Sequence, residues 1–450
     1  MTAGSPLVRG RRLPKGLRAL GHRNYRLFSI GQLISLIGTW MQSVAQGWLV
    51  LQLTHDPLTL GALAAVQFMP VMVLGLFGGV VADAVPKRLA LVVTQTSAGI
   101  LALVLGLLAV TGTVQVWEVF VLAALLGLVN AFDMPIRQSF VVEMVGREDI
   151  VSAVALNSAV FNATRIIGPA VAGILIAIVG IAACFLINAA SYIAVVAGLL
   201  MMRPSDLRPP PVSALQRTAR SVISQLAEGL RYVRNTPIIL LAIFVVGLVS
   251  TAALNFQVLL PLLAQDVLNG DATTYGFLSA SAGVGSLIGA LVLAFGRLPT
   301  TRRLLVGAAV IGLAMLGLAV SRSVVLSMAL MATIGWGTIA MSATTNTIIQ
   351  LTAPDHLRGR VMSVYTTVFA GSTPIGGLLT GAVAGSAGTP AALAAGGLVS
   401  LAAVVLALAW AVTGTRRDSG LVGRATVAVA VPSDGDPGLG SAPPARGQGH

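Results

Sequence analysis

The sequence predicts an all-α integral membrane protein of about twelve transmembrane helices in two six-helix pseudo-repeats. Three observations carry that prediction. The composition is 56% hydrophobic and only 10% charged, with a mean hydropathy of +0.90, which no soluble globular domain has. Apolar runs of about 20 residues, the length that crosses ~30 Å of hydrocarbon, recur along the chain. The 28 Lys and Arg residues gather in alternate loops, as they do where charge sets membrane orientation.

Taken in order, residues 1–26 read as a basic cytoplasmic tail carrying Arg9, Arg11, Arg12, Lys15, Arg18, Arg23 and Arg26. Arg11 and Arg12 could open a twin-arginine signal. Charges continue to Arg26, however, and the apolar run that follows is too long for a cleaved segment. Spans are expected over 27–52, 59–82, 89–110, 116–139, 152–178 and 181–202, an N-terminal six-helix bundle covering 27–202. Residues 203–236 break the series as a cytoplasmic linker with Arg203, Pro204, Arg208, Pro209, Pro210 and Pro211, then an amphipathic helix over 213–234. A second six-helix bundle, 237–413, holds spans at 237–263, 274–296, 303–320, 324–349, 361–384 and 390–413. Residues 414–450 are rich in Gly, Pro and Asp and are expected to be a disordered cytoplasmic tail.

With both termini in the cytoplasm, 26 of the 28 basic residues fall inside; Arg322 is external and Arg165 lies within a span. The net charge of +13 is therefore an orientation signal and not a nucleic-acid footprint. Internal echoes support duplication. Gly61, Leu63 and Ala65 open the second span as Gly276, Leu278 and Ala280 open the eighth. Phe161, Gly168 and Gly173 fall over Phe369, Gly376 and Gly381 at one constant offset. Six spans, a linker and six more is the pattern of parallel repeats in one large transporter class.

Polar residues inside the spans fall on single helical faces. The first span carries Gln32, Ser35, Thr39, Gln42 and Gln46; the fourth Asn130, Asp133 and Arg137; the fifth Ser158, Asn162 and Arg165. The seventh has Thr251 and Asn255, the tenth Thr338, Ser342, Thr345 and Asn346. Such stripes serve either as glue between packed helices or as the lining of a solute path. The charged ones favour the second, because an ion mid-membrane costs ~2.5–3.5 kcal/mol on insertion scales and normally faces a wet cavity or a partner. Asp133 and Arg165 are expected at similar depth, about 22 and 26 Å from the turn between their helices at about 1.5 Å per residue, and so are expected to pair. Arg137 and Lys87 compete for Asp133.

Several motifs then carry a resemblance. Gly38, Thr39, Trp40, Met41, Gln42 precede Gly47, Trp48, Leu49, Val50; Gly79, Val80, Val81, Ala82, Asp83 precede Lys87 and Arg88. Asp133, Met134, Pro135, Ile136, Arg137, Gln138 are followed by Ala155, Leu156, Asn157, Ser158 and by Arg165, Ile166, Ile167, Gly168, Pro169. The run from Leu357 through Arg358, Gly359 and Arg360 to Ser363 closes the set. Over residues 23–413 the chain resembles the major facilitator superfamily, in the branch of bacterial drug and siderophore exporters similar to the enterobactin exporter. It departs at Ala84 and Pro86 in the loop motif, and at Thr164 where the exporters' motif has glycine.

The resemblance implies a secondary active transporter that exports a small amphipathic organic molecule by alternating access, as a proton antiporter, from the bacterial cytoplasmic membrane. It implies a monomer without cofactor or metal. Substrate and coupling residues are expected among Asp133, Arg137, Arg165, Asn130, Gln42, Gln46, Asn255 and Asn346. A gating latch is expected from Gly79, Asp83, Lys87, Arg88, Arg358 and Arg360, with Lys87 reaching an acid on the fourth helix, foremost Asp133. Gly168, Pro169 and Gly173 form a helix-packing motif. Uptake or lipid flipping on the same fold are the alternatives. A membrane enzyme is disfavoured because His22, His55, His356, His450 and Cys184 are scattered and no second carboxylate accompanies Asp133; a primary pump is disfavoured by the missing phosphate-binding Gly-Lys-Ser/Thr.

Overall fold

A computed structural model describes residues 14–208, 219–294 and 300–417. The expected tail over 1–13, the start of the amphipathic helix at 213–218, the end of the eighth span at 295–296, the tail beyond 417 and the side chain of Asp83 lie outside the described residues. The chain divides into two compact units, Met1–Val404 and Val405–His450; of the second, residues 405–417 are helical.

Fourteen α-helices are described. They are α1 (Arg23–Thr54), α2 (Pro57–Ala84), α3 (Lys87–Thr111), α4 (Val116–Val145), α5 (Ile150–Ile178), α6 (Ile181–Leu200), α7 (Ala219–Asn235), α8 (Pro237–Ala253), α9 (Phe256–Leu262), α10 (Ala272–Ala294), α11 (Thr301–Val320), α12 (Val324–Thr352), α13 (Asp355–Ala387) and α14 (Thr389–Arg417). No strand occurs among the described residues. With α8, α9 and a π turn at Leu263–Val267 counted as one span, Pro237–Val267, twelve segments are long and apolar enough to cross a membrane. The fourth helix runs on to Val145, beyond the expected end of the span at residue 139.

Local chemistry sets the ends. Asp56 precedes Pro57 and accepts hydrogen bonds from the N–H groups of Leu58 (3.1 Å) and Thr59 (3.0 Å), satisfying two orphan donors of α2. Gln115 and Glu118 make a reciprocal capping box on α4. Gly146, at φ +73°, ends α4 in a conformation that side chains with a Cβ rarely adopt. The amphipathic α7 packs on α13 and α8, and its Gly229 lets the α13 backbone at Arg360 approach closely.

The duplication is visible in the packing. In the first half α2 packs on α4, α3 on α4 and α1 on α5; in the second α10 packs on α12, α11 on α12 and α13 on α8. The echoes read from sequence occupy matching places. Gly168 lies against Trp40 and Ile37 of α1, and Gly376 against Thr251 and Asn255 beside α8. Gly173 lies against Ala272 and Thr273 of α10, and Gly381 against Pro57 and Gly61 of α2. Small residues at these points let backbones meet, the main way helices associate in lipid.

The halves meet through α2 with α13 and α5 with α10, most closely toward one end. A Cβ on Gly381 would lie 2.6 Å from Pro57 O, and one on Gly173 2.8 Å from Ala272 O. Gln257 donates to Ser43 Oγ at 3.3 Å, Thr273 Oγ1 to Gly173 O at 3.3 Å, and Trp48 stacks on Tyr275 with centroids 6.3 Å apart. All these contacts sit where α1, α5 and α13 end and α2 and α10 begin. We call this the far end; Arg23, Lys87 and Arg360 mark the opposite, basic end.

Candidate functional site

Along α5 one helical stripe changes character. Val151 (78% exposed), Val154, Ser158 and Phe161 are exposed; Arg165 is half-buried; Gly168, Pro169 and Ala172 are buried. Steps of three and four keep these positions on one face. At the far end that face packs on α10 and α1, and toward the basic end it is exposed. The equivalent stripe on α13 behaves alike: Thr366 and Phe369 are exposed, Thr373 is half-buried, and Gly376, Gly377 and Thr380 are buried. No atom lies within 4 Å of where a Cβ would stand on Gly79 of α2 or Gly359 of α13. The halves thus pack tightly at the far end, while these faces of α5 and α13 are exposed toward the basic end. A cleft of about 310 Å³ is lined by Ser342, Ala343, Asn346 and Thr347 of α12 and Tyr365 of α13.

The expected pair of Asp133 with Arg165 is not formed. The carboxylate of Asp133, 1% exposed, accepts from Thr94 Oγ1 (2.7 Å) and Gln95 Nε2 (2.8 Å) of α3 and from Arg137 Nη2 one turn along its own helix. Arg137 also donates to Gln32 of α1, and its Nε is buried without a partner. α4 packs chiefly on α2 and α3 while α5 packs on α1 and α10, so the two charges have different neighbours. Lys87 does not reach Asp133 either. Its Nζ is 2.7 Å from Glu143 of α4, ten residues beyond, because the head of α3 lies level with the end of α4. Thr94, Gln95 and Glu143 were not picked out from sequence; Glu143, an acid on the same helix as Asp133, was the one legible signal.

The other expected residues divide. Gln42 accepts from Asn188 of α6 at 2.6 Å, and Gln46 donates to Gln67 of α2 at 3.4 Å, so both act between helices of one half. Asn130 is half-buried on α4. Asn255 stands at the break between α8 and α9. Its amide donates to Thr251 O at 2.7 Å, the carbonyl that its own N–H would have capped in an unbroken helix, and to Thr380 Oγ1 at 3.1 Å. Asn346 lines the cleft.

Among the described residues, the latch side chains Lys87, Arg88, Arg358 and Arg360 are not joined across the halves. Arg88 caps α6 by donating to Leu199 O (2.7 Å) and Leu200 O (2.8 Å), the favourable place for a cation. Arg358 pairs with Asp355 in its own first turn at 2.6 Å, and Arg360 pairs with Glu228 of α7. Among the described residues no three His, Cys, Asp or Glu cluster as a metal site would.

The profile of the transmembrane secretion effector family matches residues 15–424. The multidrug efflux pump Tap of Mycolicibacterium fortuitum is 30% identical over 82% of this chain and 91% of its own. The staphyloferrin A transporter of Staphylococcus aureus is 24% identical over 79% and 88%, and the enterobactin exporter EntS of Shigella boydii 25% identical over 83% and 88%. Among solved structures, the nucleoside transporter NupG superposes with a TM-score of 0.68 at 13% identity, covering 88% of this chain and 99% of that one. A POT family transporter gives 0.69 at 12% identity, with 87% and 96% covered.

Proposed function

The chain belongs to the transmembrane secretion effector family of major facilitator transporters, and from that premise we propose that it exports a small amphipathic organic molecule, of the drug or siderophore kind, in exchange for protons. It is a transporter and not an enzyme, a multi-pass membrane protein of a bacterial efflux family. The observation that carries the mechanism is the tighter contact between the halves at the far end. Glycine seams at Gly61 and Gly377, and at Gly173 and Gly276, hold the far end shut while the faces of α5 and α13 are exposed toward the basic end. Rocking about this seam would expose the same faces to the other side.

In this proposal the basic end faces the cytoplasm, both termini are cytoplasmic, and the chain works as a monomer in the cytoplasmic membrane. Asp133 is the coupling group. It lies inside the first half with Arg137, Gln32, Thr94 and Gln95 around it. A proton on its carboxylate would cancel the attraction to Arg137 and let α1, α3 and α4 repack, linking protonation to rocking. The latch of Asp83, Lys87 and Arg88 toward the start of α13 belongs to the outward-open form, when Gly79 would lose its open surroundings. The test is a panel of labelled drugs and siderophores in everted vesicles with and without a proton gradient. Gradient-dependent accumulation is expected; solute entry in the opposite sense, or export indifferent to the gradient, overturns direction or coupling respectively.

A further inference from the structure

Among the described residues, Arg165 is the one charge deep in the spans that the protein leaves unanswered. Asp133 is matched by Arg137, and Glu143 by Lys87. Among the described residues Arg165 has no hydrogen-bond or ion-pair partner on any element packed against its helix. It lies midway along α5, where α5 meets α10: a Cβ on Gly283 of α10 would be 3.1 Å from Arg165 O. Toward the basic end from this point the stripe opens to Phe161, 46% exposed, which meets Trp40 edge-on at 5.8 Å. At the equivalent place on α13 stands Phe369, 39% exposed and stacked on Tyr365 at 6.2 Å. Met134 of α4 is also exposed.

A guanidinium held in a low-dielectric site with no counter-ion is costly, and an anion arriving there recovers that cost. The planar fork suits two-oxygen groups such as carboxylates. Aromatic faces beside it suit a flat apolar body. We infer that Arg165 is the anchor for an anionic group of the transported molecule, whose flat apolar part lies between Phe161 and Phe369; the substrate class is therefore an amphipathic organic anion, and not a lipophilic cation. This rests on the transport reading above, which supplies the membrane path. Arg137 does not share the task, because Asp133 and Gln32 already occupy it.

Two probes with the same aromatic body separate the charge requirement: 2-naphthoate and 2-naphthylmethylammonium. Their binding is measured by equilibrium dialysis against the full chain in nanodiscs of zwitterionic lipid, with empty nanodiscs as blank and no ion gradient. The native protein is expected to bind the anion at least about tenfold more tightly than the cation, Arg165→Gln to lose about tenfold for the anion and the preference with it, and Arg165→Lys to keep a preference. Arg322→Gln, at the far end, leaves binding unchanged. Equal binding of the two probes, a preference for the cation, no binding of the anion, or an undiminished anion affinity in Arg165→Gln each overturns the assignment. If Arg165→Gln does not fold, the charge preference of the native protein decides alone. Because the readout is equilibrium binding, vesicles that fail to export while Arg165-dependent binding persists would remove the export reading and leave the anion site standing.

Discussion

Lys87 at the head of α3 and Glu143 near the end of α4 form an ion pair of 2.7 Å with side chains only 10% and 9% exposed. Removing one member leaves the other charge buried, which costs about 3–5 kcal/mol. Glu143→Ala is therefore expected to lower the thermal unfolding midpoint of the purified protein sharply, and the exchange Lys87→Glu with Glu143→Lys to recover most of it. An unchanged melt for Glu143→Ala would show that the pair contributes nothing to the fold.

The glycine seam sets the resting state. Valine at Gly173 meets the α10 backbone at Ala272 and Thr273, and overpacking of this kind costs about 1–3 kcal/mol. Gly173→Val is expected to populate the far-end-open form and to slow transport. With Cys184, the chain's single cysteine, replaced by Ala, a reporter at Ser43→Cys should label faster from the far side. Unaltered labelling together with unaltered transport removes the seam from the gating scheme.

Asp133→Asn keeps the shape of the side chain and its bonds to α3 within reach, but withdraws the charge that faces Arg137. Export driven by a proton gradient should stop responding to that gradient, while downhill exchange of substrate continues. A variant with normal rate and normal pH dependence would make the network structural and place coupling elsewhere.

Asp56 tests the far-end loop. The Thr59 hydroxyl, with the N–H groups of Leu58 and Thr59, holds its carboxyl below the ordinary range. Its stabilisation is thus fully present above the ordinary carboxylate pKa and fades as pH falls through the lowered folded value. Asp56→Ala should cost about 1 kcal/mol at neutral pH and nothing once the native carboxyl is protonated. A pH-independent difference in melts would rule out the cap.

How much was legible follows from particular residues. Twelve spans, their order and the doubling could be read because hydrocarbon demands long apolar helices, and because Gly168, Gly173, Gly376 and Gly381 repeat at one offset. The break at Asn255 was not legible: Thr251 and Asn255 read equally well as a polar stripe on an unbroken helix. The partner of Lys87 was misassigned to Asp133, since both Asp133 and Glu143 are acids on the right helix and only the level of α3 against α4 selects between them. Gln42 and Gln46, read as candidate lining, bond to Asn188 and Gln67.

The sequence by itself determined the class of the molecule, the number of its crossings and its family, because these depend on composition, length and motifs along one axis. The tertiary structure alone decided which charges meet. Helix rise predicts Asp133 and Arg165 level, but the packing of each helix sets Asp133 against α3 and Arg137 and Arg165 at the α5–α10 contact, since pairing in a bundle is set by azimuth and packing, which a single chain's periodicity does not encode.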